Sequence, residues 1–248
     1  MRLEQTEVLG CRLDIVDMPK ALQVIEDAIQ KRELSQVITL NAEMIYRAQH
    51  NQQLRDIYSQ ARLVTPDGIG VVWALRRAGW EISRRVTGVG LTLEILGLAR
   101  EKNWRIFLLG AEPGVAQEVA RKLAAAEDSL EIAGVHHGYF ADEESPTIID
   151  LIRAARPDIL LVGLGAPRQD IWIAQHLDEL QVPVCIGVGG TFDVLAGKVR
   201  RAPRIWRRLG LEWLYRLISE PKRIKRQLAL PRFAWLVLRQ GQKGKRRG

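Results

Sequence analysis

Five short apolar runs, each closing on small or polar residues and each followed by a stretch of helical spacing, constrain this chain more than anything else in it. They are VITLN (37–41), RLVTPDG (62–68), RIFLLG (105–110), DILLVGLG (158–165) and VCIGVGG (184–190). β-Branched runs with so little polar alternation are what strands covered on both faces look like. Helical patterns over 18–32, 43–59, 68–78, 91–102, 114–126, 145–155 and 168–179 lie between and around them, each long enough for a crossover. This order predicts a doubly wound α/β layer structure with a sheet that is parallel at its centre. Ligands of such sheets bind beyond the carboxyl ends of the strands, where Asn41, Asp67, Gly110, Gly165 and Gly190 stand.

In LVTPDGIGVVWALRRAG (63–79) an acid sits between a proline and a glycine at the exit of an apolar run. Pro66 forbids simple continuation of the strand and Gly68 to Ala78 have the apolar content of a helix, so Asp67 occupies a strand-to-helix corner. Two roles compete for its carboxylate. Asp is a favoured helix N-cap and Pro-Asp-Gly is ordinary turn chemistry; alternatively the corner presents the acid to a ligand.

Glycine loops follow three other runs. GAEPG (110–114) leads into the helix VAQEVARKLAAA, where backbone N–H groups can approach an anion, although a plain tight turn accounts for it equally well. GLGAPRQD (163–170) offers Arg168 and Gln169 at the start of the next helix, to an anion or a sugar hydroxyl, and GVGGTFDVLAGK (187–198) adds Asp193. Three such loops suggest a polar, phosphorylated ligand across the sheet edge, against the alternative that the glycines serve helix–strand packing alone. None matches G-x-G-x-x-G or a P-loop, so an NAD-dependent oxidoreductase is disfavoured. No D-x-D pair stands at a strand end, ADEES (141–145) reads as a helix start, and His136 and His137 beside GYF read as loop residues. No metal site is expected.

The chain has 248 residues, 47% of them hydrophobic, enough for a core without staples. Cys11 and Cys185 are isolated, and neither they nor the four histidines have zinc-ligand spacing, which points to a reducing compartment. The first residues lack a secretory pattern, and no run of about 18 uncharged apolar residues would span a bilayer. Charge divides the chain. Residues 200–248 hold 16 Lys and Arg against Glu212 and Glu220, a balance of +14, so with +8 overall residues 1–199 carry −6. The basic segment interleaves Trp206, Trp213, Tyr215, Phe233 and Trp235 with arginines, and Pro203 and Pro221 mark helix starts. Such amphipathic helices suit an anionic membrane surface, each basic residue contributing about 1 kcal/mol. A nucleic acid is the rival ligand, disfavoured by the apolar share of the segment. The expected division is an α/β catalytic domain over 1–195 and a basic amphipathic appendage over 196–248, with GQKGKRRG (241–248) disordered.

The stretches TLNAEMI, VTPDGIGVVWA, RRVTGVGL, FLLGAEPGV, HGYF, LVGLGAPRQD and GVGGTFDVLAGKVRRAPRIWRRLGLEWLYRLISEPKR, in unbroken order over about residues 37–226, resemble the WecG/TagA/CpsF family of bacterial glycosyltransferases, glycosyltransferase family 26. The resemblance implies a Rossmann-like α/β fold, a mostly parallel sheet flanked by helices with a small basic helical C-terminal appendage. It implies inverting transfer of N-acetylmannosamine from a UDP-sugar donor to the 4-hydroxyl of N-acetylglucosamine on a polyprenyl-diphosphate-linked acceptor, without metal or cofactor. The product would serve wall teichoic acid or a related surface polymer. Family members also use other donors, such as UDP-glucose or UDP-N-acetylmannosaminuronic acid, and no residue here selects among them. The implied location is cytoplasmic, peripheral on the inner face of the cell membrane, with no nucleic acid as partner. The oligomeric state stays open, a homo-oligomer included.

Carried over by motif, Asp67 is the implied general base, Thr39 and Asn41 stand beside it, and Arg85 and Gln169 match substrate-contacting positions. Tyr139 and Asp193 match positions near the uridine and ribose, and Gly110, Gly165, Gly189 and Gly190 belong to the loops expected to hold the nucleotide sugar. Arg216, Arg223 and Arg226 match arginines expected to meet the acceptor diphosphate. The chemistry suits these types: a sugar hydroxyl needs a carboxylate to accept its proton, and a departing UDP needs cationic side chains and backbone N–H groups. Whether Glu43 faces the site or solvent is left open by the sequence.

Overall fold

In the computed structural model the central strands are buried end to end, as their composition predicts. The structure describes residues 3–82, 85–126, 130–200, 202–203, 205–206, 211–219 and 228–245. A hairpin of β1 (Gln5–Val8) and β2 (Cys11–Asp14) precedes a six-stranded sheet of β3 (Ser35–Leu40), β4 (Leu63–Pro66), β5 (Ile106–Gly110), β6 (Ile132–His136), β7 (Ile159–Gly163) and β8 (Val184–Gly187). The sheet runs β4-β3-β8-β7-β5-β6, and every pairing in it is parallel.

The helices are α1 (Met18–Lys31), α2 (Ala42–Ala48), α3 (Gln52–Gln60), α4 (Ile69–Arg77), α5 (Gly88–Lys102), α6 (Val115–Ala126), α7 (Ser145–Ala155), α8 (Arg168–Leu180), α9 (Thr191–Leu195), α10 (Glu212–Ser219) and α11 (Ala229–Lys245). The single pattern over 43–59 is two helices, because Asn51 accepts the N–H of Leu54 and caps a second start. Helix α5 begins at Gly88, ahead of the expected 91, with the Thr87 hydroxyl capping Gly90 N–H. Helix α11 reaches Lys245, into the segment whose composition predicts disorder.

Alternate residues of each strand serve opposite layers, as a strand period of two requires. Val37, Leu63, Ile106, Leu108, Ile159, Leu161, Val184 and Ile186 face α1, α5, α6 and α9. On the other face, Ile38, Leu40 and Val64 pack with the hairpin and helices α2, α3 and α4, while Phe107, Leu109, Leu160, Val162 and Cys185 pack with α7 and α8. Each fully buried Leu, Ile, Val or Phe contributes roughly 1.5–3 kcal/mol. Phe233 and Val237 of α11 complete the core beside α2 and α4, so the last described helix returns to the body.

This topology places a crevice at the sheet's carboxyl edge. Strand β3 leads into α2 on one face, while its neighbour β8 leads into α9 on the other, and a gap opens between the diverging connections.

Candidate active site

The Pro66-Asp67-Gly68 corner lies at that crevice and is held by backbone bonds on both sides. Asp67 N–H donates to Leu40 O at 2.9 Å, and Val86 N–H donates to Pro66 O at 3.2 Å. Gly68, at φ +86°, takes the N-cap position of α4 and offers no side-chain cap. Asp67 does not cap the helix it precedes. Its Oδ2 accepts from Gly88 N–H at 3.2 Å, at the first turn of α5. A Cβ at Gly88 would lie 3.1 Å from Thr39 Oγ1, so glycine there lets Thr39 come close under the start of α5. Thr39 shares the sheet face of Val37 and so rises under the start of α5, next to the acid.

Thr39, Asn41, Asp67, Arg85 and Gln169 line one cavity of about 600 Å³, together with Gly165, Gly189 and Gly190. That volume suits a small-molecule site. Asn41 caps α2, its Oδ1 accepting Met44 N–H at 3.1 Å, which leaves its NH2 as the group it can offer. Gln169 Oε1 accepts Gly189 N–H at 2.9 Å. Glu43 lines the cavity as well, and its carboxylate reaches Arg47 at 2.9 Å.

Part of the cavity wall comes from the basic segment. Glu212 and Trp213 of α10 and Leu230, Pro231, Phe233 and Ala234 of α11 line it. Arg85 Nη2 stands 3.1 Å from Glu212 Oε2, both half-buried, so an ion pair fastens α10 over the site. Sequence reasoning missed Glu212 and Trp213 as cavity residues, and no local signal marks them. Ile69 and Trp73, exposed on α4, add an apolar rim.

Gly110, Tyr139 and Asp193 lie outside this cavity wall. Gly110, at φ +142°, pairs with Gly163, where a Cβ would come within 2.6 Å of backbone, so close approach of β5 to β7 requires glycine there. Tyr139 is 67% exposed in the loop after β6. Arg168 is not offered to a ligand: it donates to Gly138 O at 3.1 Å and Phe140 O at 2.8 Å and stacks over the Phe140 ring, clamping the loop that carries Tyr139. Asp193 lies on α9, just beyond Gly190. Arg216 belongs to α10, and its side chain, like Arg223 and Arg226, lies outside the described residues.

Among the described residues no three His, Cys, Asp or Glu are grouped to hold a metal ion, and no helix is long and apolar enough to cross a membrane. The His136 and His137 rings lie 4.5 Å apart at a tilt of 45°, with His136 Nδ1 2.8 Å from His137 O. Burial pushes the Cys11 thiol up to about 11 and raises Cys185 too, which leaves both free cysteines as unreactive thiols. The displaced titration that lies against the cavity is that of Asp170, next to Gln169, which burial pushes up to about 7.

A parallel sheet with a cavity across its strand ends, lined by a carboxylate at a strand-to-helix corner and by an arginine, is the arrangement of an α/β protein with a small-molecule site. The chain belongs to the WecG/TagA/CpsF family of glycosyl transferases, whose profile matches residues 6–247. It is 37% identical over 219 residues to the N-acetylglucosaminyldiphosphoundecaprenol N-acetyl-beta-D-mannosaminyltransferase of Bacillus subtilis (strain 168), covering 86% of this chain and 85% of that protein. The enzyme of the same name from Staphylococcus aureus (strain MW2) is 32% identical over 244 residues, 98% of this chain and 95% of its own.

Proposed function

We propose that this hexosyltransferase moves N-acetylmannosamine from a UDP-sugar to the 4-hydroxyl of N-acetylglucosamine carried on a polyprenyl diphosphate, with inversion. The observation that carries the reading is the gathering of Asp67, Thr39, Asn41, Arg85 and Gln169 around one cavity, in a chain 32–37% identical to enzymes named N-acetylglucosaminyldiphosphoundecaprenol N-acetyl-beta-D-mannosaminyltransferase. The acceptor oxygen attacks the anomeric carbon from the face opposite UDP. As that bond forms, the hydroxyl proton passes to Asp67, and the bond to UDP breaks with its electron pair on the diphosphate oxygen. Arg85 meets the growing negative charge, aided by N–H groups of the loops at Gly165 and Gly190. Gln169 and Asn41 orient sugar hydroxyls and the N-acetyl group. Gly110, Tyr139 and Asp193 extend the donor site towards the uridine.

The basic segment brings this site to an anionic membrane surface at the inner face of the cell membrane, where Arg216, Arg223 and Arg226 meet the acceptor diphosphate. Exposed Ile218, Trp235 and Leu238, with Arg239 stacked 5.2 Å over Trp235, support that reading.

The test is UDP release by the purified protein from a panel of UDP-sugars, with and without a lipid-linked N-acetylglucosamine analogue, in chelator and with anionic vesicles. Release from UDP-N-acetylmannosamine that depends on acceptor is expected. Acceptor-dependent release from another UDP-hexose alone would redirect the donor assignment, and loss of activity in chelator would overturn the metal-free mechanism.

A further inference from the structure

Next to Gln169 in the chain the protein buries an acid that has no hydrogen-bond partner among the described residues. Asp170, the next residue of α8, is 1% exposed, and neither carboxylate oxygen meets a donor among the described residues. Gln169 Nε2 lies beside it: a Cβ on Gly187 would stand 2.5 Å from Gln169 Nε2 and 2.8 Å from Asp170 Oδ1. The end of β8 therefore has room for these two side chains only because residue 187 is glycine. An unpartnered buried acid lowers stability whenever it ionises, so its place next to Gln169, a residue of the cavity wall, calls for a function.

We propose that Asp170 is a positioning residue for sugar transfer: its carboxylate holds the Nε2 side of the Gln169 carboxamide while Gly189 N–H holds the Oε1 side, so that Gln169 presents a fixed N–H donor to the sugar. The inference rests on the reading of the cavity as a sugar site. An amide NH2 has two protons; one turns to the carboxylate and the other is left for the ligand. The bond to Asp170 forms as the cavity fills and Gln169 turns to meet the sugar. Protonation of Asp170 removes the charge that attracts Nε2 and releases the amide.

The groups packed around Asp170 favour that switch near neutrality. Helix α3 brings the buried Tyr58 hydroxyl, which has no hydrogen-bond partner among the described residues and is raised in pKa first by burial and then by Asp170, with Cys11 and Arg47 as its other charged or titratable neighbours. Strand β8 brings Cys185, β3 brings Gln36, whose Nε2 donates to Asp170 O at 2.9 Å, and the buried residues of α7 are Ser145 and three isoleucines. Burial therefore dominates, the Gln169 amide partly offsets it, and the carboxyl titrates at about 7. Two opposed consequences follow. Activity rises with pH through about 7 as Asp170 ionises. Stability falls over the window from the ordinary carboxylate range up to about 7, because the folded state keeps a proton that the unfolded chain has released.

The deciding experiment compares wild type, Asp170→Asn, Gln169→Ala and the double variant by thermal unfolding and by kcat/KM for acceptor-dependent UDP release between pH 5 and 9. Asp170→Asn is expected to match or exceed wild-type stability at pH 8 while losing about 10-fold or more in kcat/KM. It should lack the limb near pH 7, and it should add nothing in the Gln169→Ala background. Unchanged kcat/KM with the limb intact overturns the proposal, as does a loss of activity that tracks a loss of stability. A wild-type protein that transfers no sugar overturns the functional reading itself, which is visible before any variant is made.

Discussion

The carboxyl edge of the sheet is built in two different ways. Around β4, β3 and β8 it carries side chains held by caps and ion pairs: Asp67 on Gly88, Asn41 on Met44, Gln169 on Gly189 and Arg85 against Glu212. Around β5 and β6 it is backbone packed on backbone, with Gly110 against Gly163 and Gly138 against Ala111. Chemistry needs groups that are fixed yet addressable, and a cap achieves this by using one atom of a side chain and leaving another for a ligand. A loop that receives part of a ligand passively needs only to come close, and glycine is the residue that lets it.

The sharpest way to break this contrast is to add one methyl group on the backbone side. Gly110→Ala drives a Cβ into the Gly163 backbone from a left-handed φ, and should cost about 3 kcal/mol or more, read as loss of folded protein in urea titrations. On the side-chain side, Asp67→Asn keeps shape and an acceptor for Gly88 N–H. It should lower kcat by about 100-fold or more, roughly 2.7 kcal/mol, with UDP-sugar affinity and melting temperature nearly unchanged. Near-normal turnover would remove Asp67 from the mechanism. Arg85→Lys replaces a planar fork by a point charge, and a loss of about 10-fold in kcat/KM is expected; full activity would show that another group meets the leaving diphosphate. Smallest of all, Tyr139→Ala on the exposed loop should shift stability by less than about 0.5 kcal/mol and raise the KM for UDP-sugar a few-fold. A large fall in kcat there would show that both halves of the edge take part in the chemical step.

Much of the fold was legible because strands covered on both sides are written as apolar runs. The hairpin was not, since its Leu9-Gly10 turn has one turn-forming residue where such turns usually have two, and both central residues adopt positive φ. Strand β6 escaped as well: it is an edge strand, half-buried throughout, with none of the apolar density of its neighbours. Helix α5 was read as starting late because the glycines of Thr87-Gly-Val-Gly argue against a helix, although Thr87 was there as its cap. In the site, Asn41, Asp67 and Gln169 were legible at or just after strand ends and Thr39 and Arg85 only through the family motifs, while Glu212, 127 positions from Arg85, carried no local mark at all.

What the sequence determined by itself is therefore the layered α/β class and the set of polar residues at the strand ends, because periodicity and turn chemistry act over a few residues. Tertiary structure alone decided which of those ends converge, since strand order depends on crossovers that no local pattern encodes. It also decided that Gly68 takes the cap position of α4, while the Asp67 carboxylate accepts from Gly88 N–H of α5 and lines the cavity. It buried Asp170 next to Gln169, too, since adjacent helix positions point in different directions and only the packing of α8 on β8 determines which one meets the site.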